Sequence, residues 1–285
     1  MRFQRLGCVC RVIGVMALAA ASAVLPSIAA AAAYGNETAA TGRPIMADGT
    51  TYIDQMTPTS TVSWFVFRLE PNQSYSIEVS NPFGKFGDFQ NAVGVVTLFE
   101  ADGTTLIPTT TRSFDFPAPQ VDSGITQGGR LTLVNEAASA RRVALKAQQN
   151  GGAPSTPRDF AVRVVPTTLV APRWSVNGYD AFFALTNTIV SGEGFLSVTG
   201  KILYYNEAGA LVGSDSFSLA SNASAQIVKP NGVTIGGAVR GGVRIVHNGA
   251  PGAILAHQTL FSPGTGQFIQ YPVVPLVHAY GRGGI

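Results

Sequence analysis

All three histidines of this 285-residue chain, His247, His257 and His278, lie in its second half, and a histidine there could act as a general base or a metal ligand. His247 and His257 flank Asn248 to Ala253, which reads as a hairpin turn. Pairing His247 with Ile254 sets Arg244 opposite His257. The two rings then point to opposite faces, which is poor geometry for a shared metal, and a one-residue slip would reverse it. No acid follows Asp215, so no local carboxylate orients either ring. The expectation is surface or half-buried strand histidines, not a catalytic or metal pair. The acids Asp88, Glu100, Asp102, Asp115 and Asp122 fall in or near loops, but their spacing matches no calcium-loop template. Ordinary turn chemistry is expected of them, with no metal and no cofactor. Glycine-rich phosphate loops, nucleophile elbows and zinc-protease motifs are absent. The sequence therefore predicts no catalytic residue.

Aromatic residues offer a second kind of chemistry. Asn81 to Phe89 carries Phe83, Phe86 and Phe89 among Gly and Pro, the composition of a loop presenting rings to a sugar or a protein surface. These three are the expected ligand-binding residues. The competing reading folds the same rings onto a sheet edge. Arg173, Trp174 and Tyr179 stand at the entry to the second half and are expected to seal an interdomain contact. Three glycosylation sequons, at Asn36, Asn72 and Asn222, discriminate little.

The elements that must position these residues read as strands. Hydrophobic residues make up 46% of the chain and charged residues 12%, where about 25% charged is usual. That balance excludes a disordered polyampholyte and a coiled coil. The N-terminus has Arg2, Arg5 and Arg11, then an apolar run from Val12 to Leu25, then alanines, as a cleaved export signal over residues 1–33 would. Its removal takes away three of the 19 basic residues and leaves 16 against 16 acidic, so the basicity belongs to the signal and points to no nucleic acid. Both cysteines, Cys8 and Cys10, leave with it, and thiol, redox and thiolate-zinc chemistry leave too. Secreted or periplasmic localisation is expected, with no membrane insertion once the signal is cut.

Residues 34–60 read as an extended lead-in, with one early strand around Thr51 to Ile53. Tyr75, Ile77 and Val79 alternate with Ser74, Ser76, Glu78 and Ser80, placing one face on a core and one in water. Trp64 to Leu69 and Val93 to Phe99 are nearly continuous apolar runs, expected to be covered on both faces. Asn135 to Lys146 is better read as leading into a strand than as a helix, because Val143 and Leu145 alternate. Gln148 to Pro157 is either a domain linker or, preferably, a long hairpin loop. The second half offers seven strand candidates: Ala181 to Asn187, Phe195 to Thr199, Ile202 to Tyr205, Ser214 to Leu219, Ala225 to Val228, Gly242 to His247 and Ile254 to Phe261. The expected fold is all-β: a β-sandwich over 61–166, a linker over 167–172, an immunoglobulin-like sandwich over 173–280 and a frayed tail.

Trp64 to Val79, Val96 to Leu106 with its Asp102-Gly103 turn, and the closing strands Arg142 to Gln148 and Phe160 to Val165 resemble the bacterial pre-peptidase C-terminal domain family over about residues 50–165. The resemblance implies a jelly-roll-like sandwich that serves as a non-catalytic module. Some members bind polysaccharide or fibrous protein, and some use calcium. The acidic N-terminal cluster that holds calcium in some relatives is not evident here. The second half is similar to immunoglobulin or fibronectin-III modules in style only. The expected function is non-catalytic binding of a polysaccharide or surface protein. The rivals are an assembly subunit of an envelope or exported complex and, third, a hydrolase with an unrecognised site.

Overall fold

The computed structural model describes residues 35–80, 95–107, 112–115, 129–149, 156–189 and 197–276. Among them, every regular element except a 3-10 turn at Ala39–Thr41 is a strand. The first nine are β1 (Arg43–Pro44), β2 (Thr51–Met56), β3 (Val62–Leu69), β4 (Gln73–Ser80), β5 (Val95–Glu100), β6 (Arg112–Asp115), β7 (Gly129–Asn135), β8 (Arg141–Gln148) and β9 (Arg158–Pro166). They form two sheets, ordered β1-β3-β8-β5 and β2-β9-β4-β7-β6. Between the sheets lies one core, in which Phe65, Phe67, Tyr75, Ile77, Leu98, Leu145 and Phe160 are buried. The second nine are β10 (Leu169–Ser175), β11 (Asp180–Asn187), β12 (Ser197–Tyr205), β13 (Leu211–Ala220), β14 (Ser224–Lys229), β15 (Arg240–His247), β16 (Ile254–Phe261), β17 (Phe268–Pro272) and β18 (Val274–Pro275). Their sheets run β13-β12-β15-β10-β18 and β14-β11-β16-β17, enclosing Trp174, Phe183, Ile202, Tyr204 and Ile245. The chain is two β-sandwiches, as its alternation predicts.

The lead-in is more than a tether. β1 adds a parallel edge to β3, and β2 pairs along its whole length with β9, so residues before 60 supply an edge strand to each sheet. The outer face of β3 is closed as well. Trp64, Val66 and Ala144 make a small apolar cluster there, with Ala39 and Phe99 against it. Hence the continuous apolar run in β3. Gly103, at φ +70°, lets the Asp102-Gly103 turn press against Ala39, where a Cβ would come within 2.1 Å of the alanine methyl.

Three expectations are corrected. The polar face of β4 is not in water: Ser74, Ser76 and Glu78 are buried. Glu78 lies in register with Arg130 on β7 and Arg163 on β9, so a guanidinium flanks the carboxylate on each side. That cross-strand row compensates a charge that would otherwise be costly to bury. Gln148 to Pro157 does not close a hairpin, because β8 and β9 lie in different sheets. Residues 167–172 are hardly a linker. Thr167 and Thr168 are buried, and Leu169 already opens β10. The Thr167 N–H donates to the Ser74 carbonyl at 2.8 Å, and the Ser74 N–H donates to Thr168 Oγ1 at 2.8 Å. The change of sandwich is therefore pinned to β4.

The contact between the sandwiches uses other residues than expected. Leu203 and Val246, on the outer face of the β12–β15 pair, are buried outside the second core. Beside them Arg244 donates to the Pro71 carbonyl at 3.2 Å, and Lys201 pairs with Glu136 at 2.8 Å. Trp174 points the other way, into the second core, and Tyr179 packs at the margin of that core. Arg173 is exposed. The reason lies in a bulge of β10 against β15 between Ala171 and Trp174, which turns the indole inward.

Candidate binding groove

His247 and His257 do not form a site together. β15 pairs with β10 and β12, and β16 pairs with β11 and β17, so His247 and His257 stand in different sheets and not on one hairpin. Arg244 consequently faces Val170 and Leu203, not His257. The connection is tied elsewhere: Asn248 Oδ1 accepts from the Thr199 N–H at 2.8 Å, and the Asn248 N–H donates to the Thr199 carbonyl at 3.0 Å. His257 is exposed between Ala184 and Pro272. His247 is buried and accepts at Nδ1 from the Gly249 N–H at 3.1 Å. Burial holds its pKa down at about 4, only partly opposed by a hydrogen bond to the Thr167 backbone. It is a neutral core residue. His278 lies outside the described residues.

The acids behave as turn and brace residues. Asp102 accepts from the backbone of Thr104 and Thr105 at 2.8 Å and from Thr105 Oγ1 at 2.6 Å. The Thr105 hydroxyl above all lowers its pKa to about 2. Glu100 is engaged by Arg141. No three His, Cys, Asp or Glu converge on a point among the described residues. Tyr204, Asp215 and Lys229 do meet, the phenol donating to Asp215 at 2.7 Å and Lys229 pairing with the same carboxylate at 2.7 Å. Burial raises the Tyr204 pKa, so the phenol stays protonated and braces the core between β12 and β14. Phe83, Phe86, Phe89, Asp88 and Asp122 lie outside the described residues, as do the side-chain surroundings of Asp115.

What the second sandwich does build is an open groove of about 730 Å³. One wall is the β10 bulge with Pro172 and Arg173. The floor is Arg240 to Arg244 on β15, and the other wall is the Tyr205 to Gly209 turn after β12. Each wall is anchored from within. Trp174 Nε1 donates to the Tyr205 carbonyl at 2.9 Å, and the buried Gln258 of β16 donates through Nε2 to the Arg173 carbonyl. Arg240 pairs with Glu207 across the floor at 2.8 Å, and the Arg244 guanidinium lies 5.1 Å from the Tyr205 ring centre. Burial raises the Tyr205 pKa, the nearby Arg244 partly opposing it. The lining has no histidine, no cysteine and one carboxylate. It is equipped to hold a ligand through guanidinium forks and backbone groups.

Gly241 sets the width of this groove. A Cβ there would sit 1.8 Å from the Tyr205 carbonyl oxygen, so the floor strand and the turn can touch only at a glycine. Gly241→Ala should push the turn away and cost about 1–3 kcal/mol, the usual range for an overpacked site. Urea unfolding of the variant measures this, and an unchanged midpoint would show that the turn yields freely.

Sequence reasoning missed the groove because its walls come from segments read as linker and turn. One signal was available: the paired Gly241-Gly242 inside a strand, a pattern of close backbone approach. Neither a family model nor a curated protein sequence matches the chain.

Proposed function

We propose that this chain is an exported, non-catalytic binding protein, and that the groove of its second sandwich takes an extended polysaccharide. One observation carries the reading: three arginines and a tyrosine line an open channel whose two walls are tied into the core by Trp174 and Gln258. A site pre-ordered by its own scaffold loses little freedom when a ligand arrives. An open channel suits a chain passing through better than a small molecule enclosed on all sides. The basic, then apolar, then alanine-rich N-terminus supports export. Phe83, Phe86 and Phe89 stand as a second proposed contact, on composition alone.

An assembly role is favoured by a separate observation. β13 pairs only with β12 along ten residues, and β17 closes the other sheet with Phe268 at 68% exposure, so unpaired strand edges remain among the described residues. A glycan and matrix-protein array separates the readings. A hit on glycans should weaken about fivefold or more in Arg173→Ala, the loss of one charge-assisted hydrogen bond, with an unchanged urea midpoint. Phe86→Ala tests the other contact in parallel. An array without hits, combined with oligomers in light scattering, would replace binding by assembly.

A further inference from the structure

The charge of the groove is unbalanced. Arg173, Arg240 and Arg244 face a single carboxylate, Glu207, which is engaged with Arg240. Arg173 is exposed, and no carboxylate lies against it among the described residues. The imbalance has a cause in the sequence, since the last 70 residues contain no Asp or Glu. Arg240 and Arg244 alternate onto one face of β15, about 13 Å apart along the strand. Gly242 stands between them, and a Cβ on it would meet nothing within 4 Å. The register sets Ala171 against Val243 and Trp174 against Gly241, so the bulge carrying Arg173 lies opposite that same glycine. Three arginines thus line the groove around a strand position that carries no side chain, although Arg244 gives one of its donors to the Pro71 carbonyl.

Resting on the binding reading above, we propose that the groove selects an anionic polysaccharide, one bearing carboxylate or sulfate groups along its length. A guanidinium presents paired N–H donors that match both groups, and two arginines spaced along a strand meet successive anionic sites on one chain. The gap over Gly242 leaves room for a sugar ring between them. An acidic protein segment fits less well. Val170, Ala171, Pro172, Val243 and Leu276 are the aliphatic part of the lining, and they lie in an open channel that offers no closed pocket for an anchoring side chain.

Affinity electrophoresis of the full chain in gels containing polygalacturonate, dextran sulfate or plain dextran tests this. Retention is expected with one or both polyanions, the pair telling carboxylate from sulfate, and it should fall as salt is raised. Gly242→Glu should weaken retention at least tenfold by setting a carboxylate between the arginines. Arg68→Ala, which removes an exposed arginine of the first sandwich, should change it less than twofold. If Gly242→Glu shifts the unfolding midpoint, Arg173→Ala supplies the same readout from an exposed residue. Equal retention by plain dextran, or retention indifferent to both groove variants, overturns the anionic preference and leaves a glycan-binding protein. Displacement by polyglutamate at matched charge overturns the polysaccharide in favour of an acidic protein. No retention by any glycan overturns the binding reading itself.

Discussion

Trp174→Ala should destabilise the chain by about 3–5 kcal/mol, the range for truncating a large buried aromatic. The indole is fully buried, packs edge-on to Tyr204 at 5.6 Å, and uses its one donor on the Tyr205 carbonyl. Alanine opens a void between the sheets and leaves a carbonyl without its partner, two costs that fall on the same strand. Trp174→Phe separates them, because it keeps a ring in the core and removes only the donor. Its loss should be clearly smaller, while the groove wall at Tyr205 is still released. The readout is convenient, since the chain has two tryptophans and Trp64 belongs to the first sandwich. In either variant fluorescence follows the first sandwich and far-ultraviolet dichroism follows both. Urea transitions that separate by probe would localise the damage. A loss below about 1 kcal/mol in Trp174→Ala would mean that the indole is not the keystone of this core.

The strands were legible where one face alone meets the core. The run from Ile254 to Phe261 is β16 to the residue, and Val143, Leu145 and Ala147 point inward from β8 as their alternation predicts. Reading failed where tertiary contacts override the local pattern. Gly200 interrupts an otherwise alternating stretch, so Phe195 to Thr199 and Ile202 to Tyr205 look like two strands. The glycine instead lies under the Phe217 ring within one strand, β12, beginning at Ser197. β10 was hidden by Pro172, which a bulge accommodates, and β17 by its nearly uniform exposure. Strand partners were harder still. Asn248-Gly249 has the composition of a hairpin turn, but what Asn248 holds is Thr199 on β12, and that bond is invisible to any local rule. The groove inherits this difficulty. Arg173, Tyr205 and Arg240 are ordinary surface residues until a bulge, a turn and a glycine pair bring them together.

His247 makes the stability of the chain depend on pH within a defined window. Its pKa is near 6.5 when unfolded and about 4 in place, because the buried ring cannot take up a proton without losing its surroundings. Between those values the unfolded chain binds a proton that the folded chain refuses, so stability rises with pH. The contribution is complete above about pH 6.5 and drains away as pH falls, by about 2 kcal/mol at pH 5 and about 3 kcal/mol as pH 4 is reached. Asp102 lies outside this window, its pKa being held at about 2. His247→Gln retains an oxygen to accept from the Gly249 N–H and has nothing to titrate. Urea midpoints at pH 7, 6 and 5, at constant ionic strength, should therefore fall in the wild type and stay nearly level in the variant. Equal slopes would assign the acid sensitivity elsewhere. The location gives the effect a consequence beyond global stability. His247 bonds the backbone of Thr167, the same residue that ties the passage between sandwiches to Ser74. The Thr167 bond favours the charged ring and survives protonation; what acid removes is the Nδ1 lone pair that accepts from the Gly249 N–H, so hydrogen exchange at the Gly249 amide should show protection lost at pH 5 and kept at pH 7.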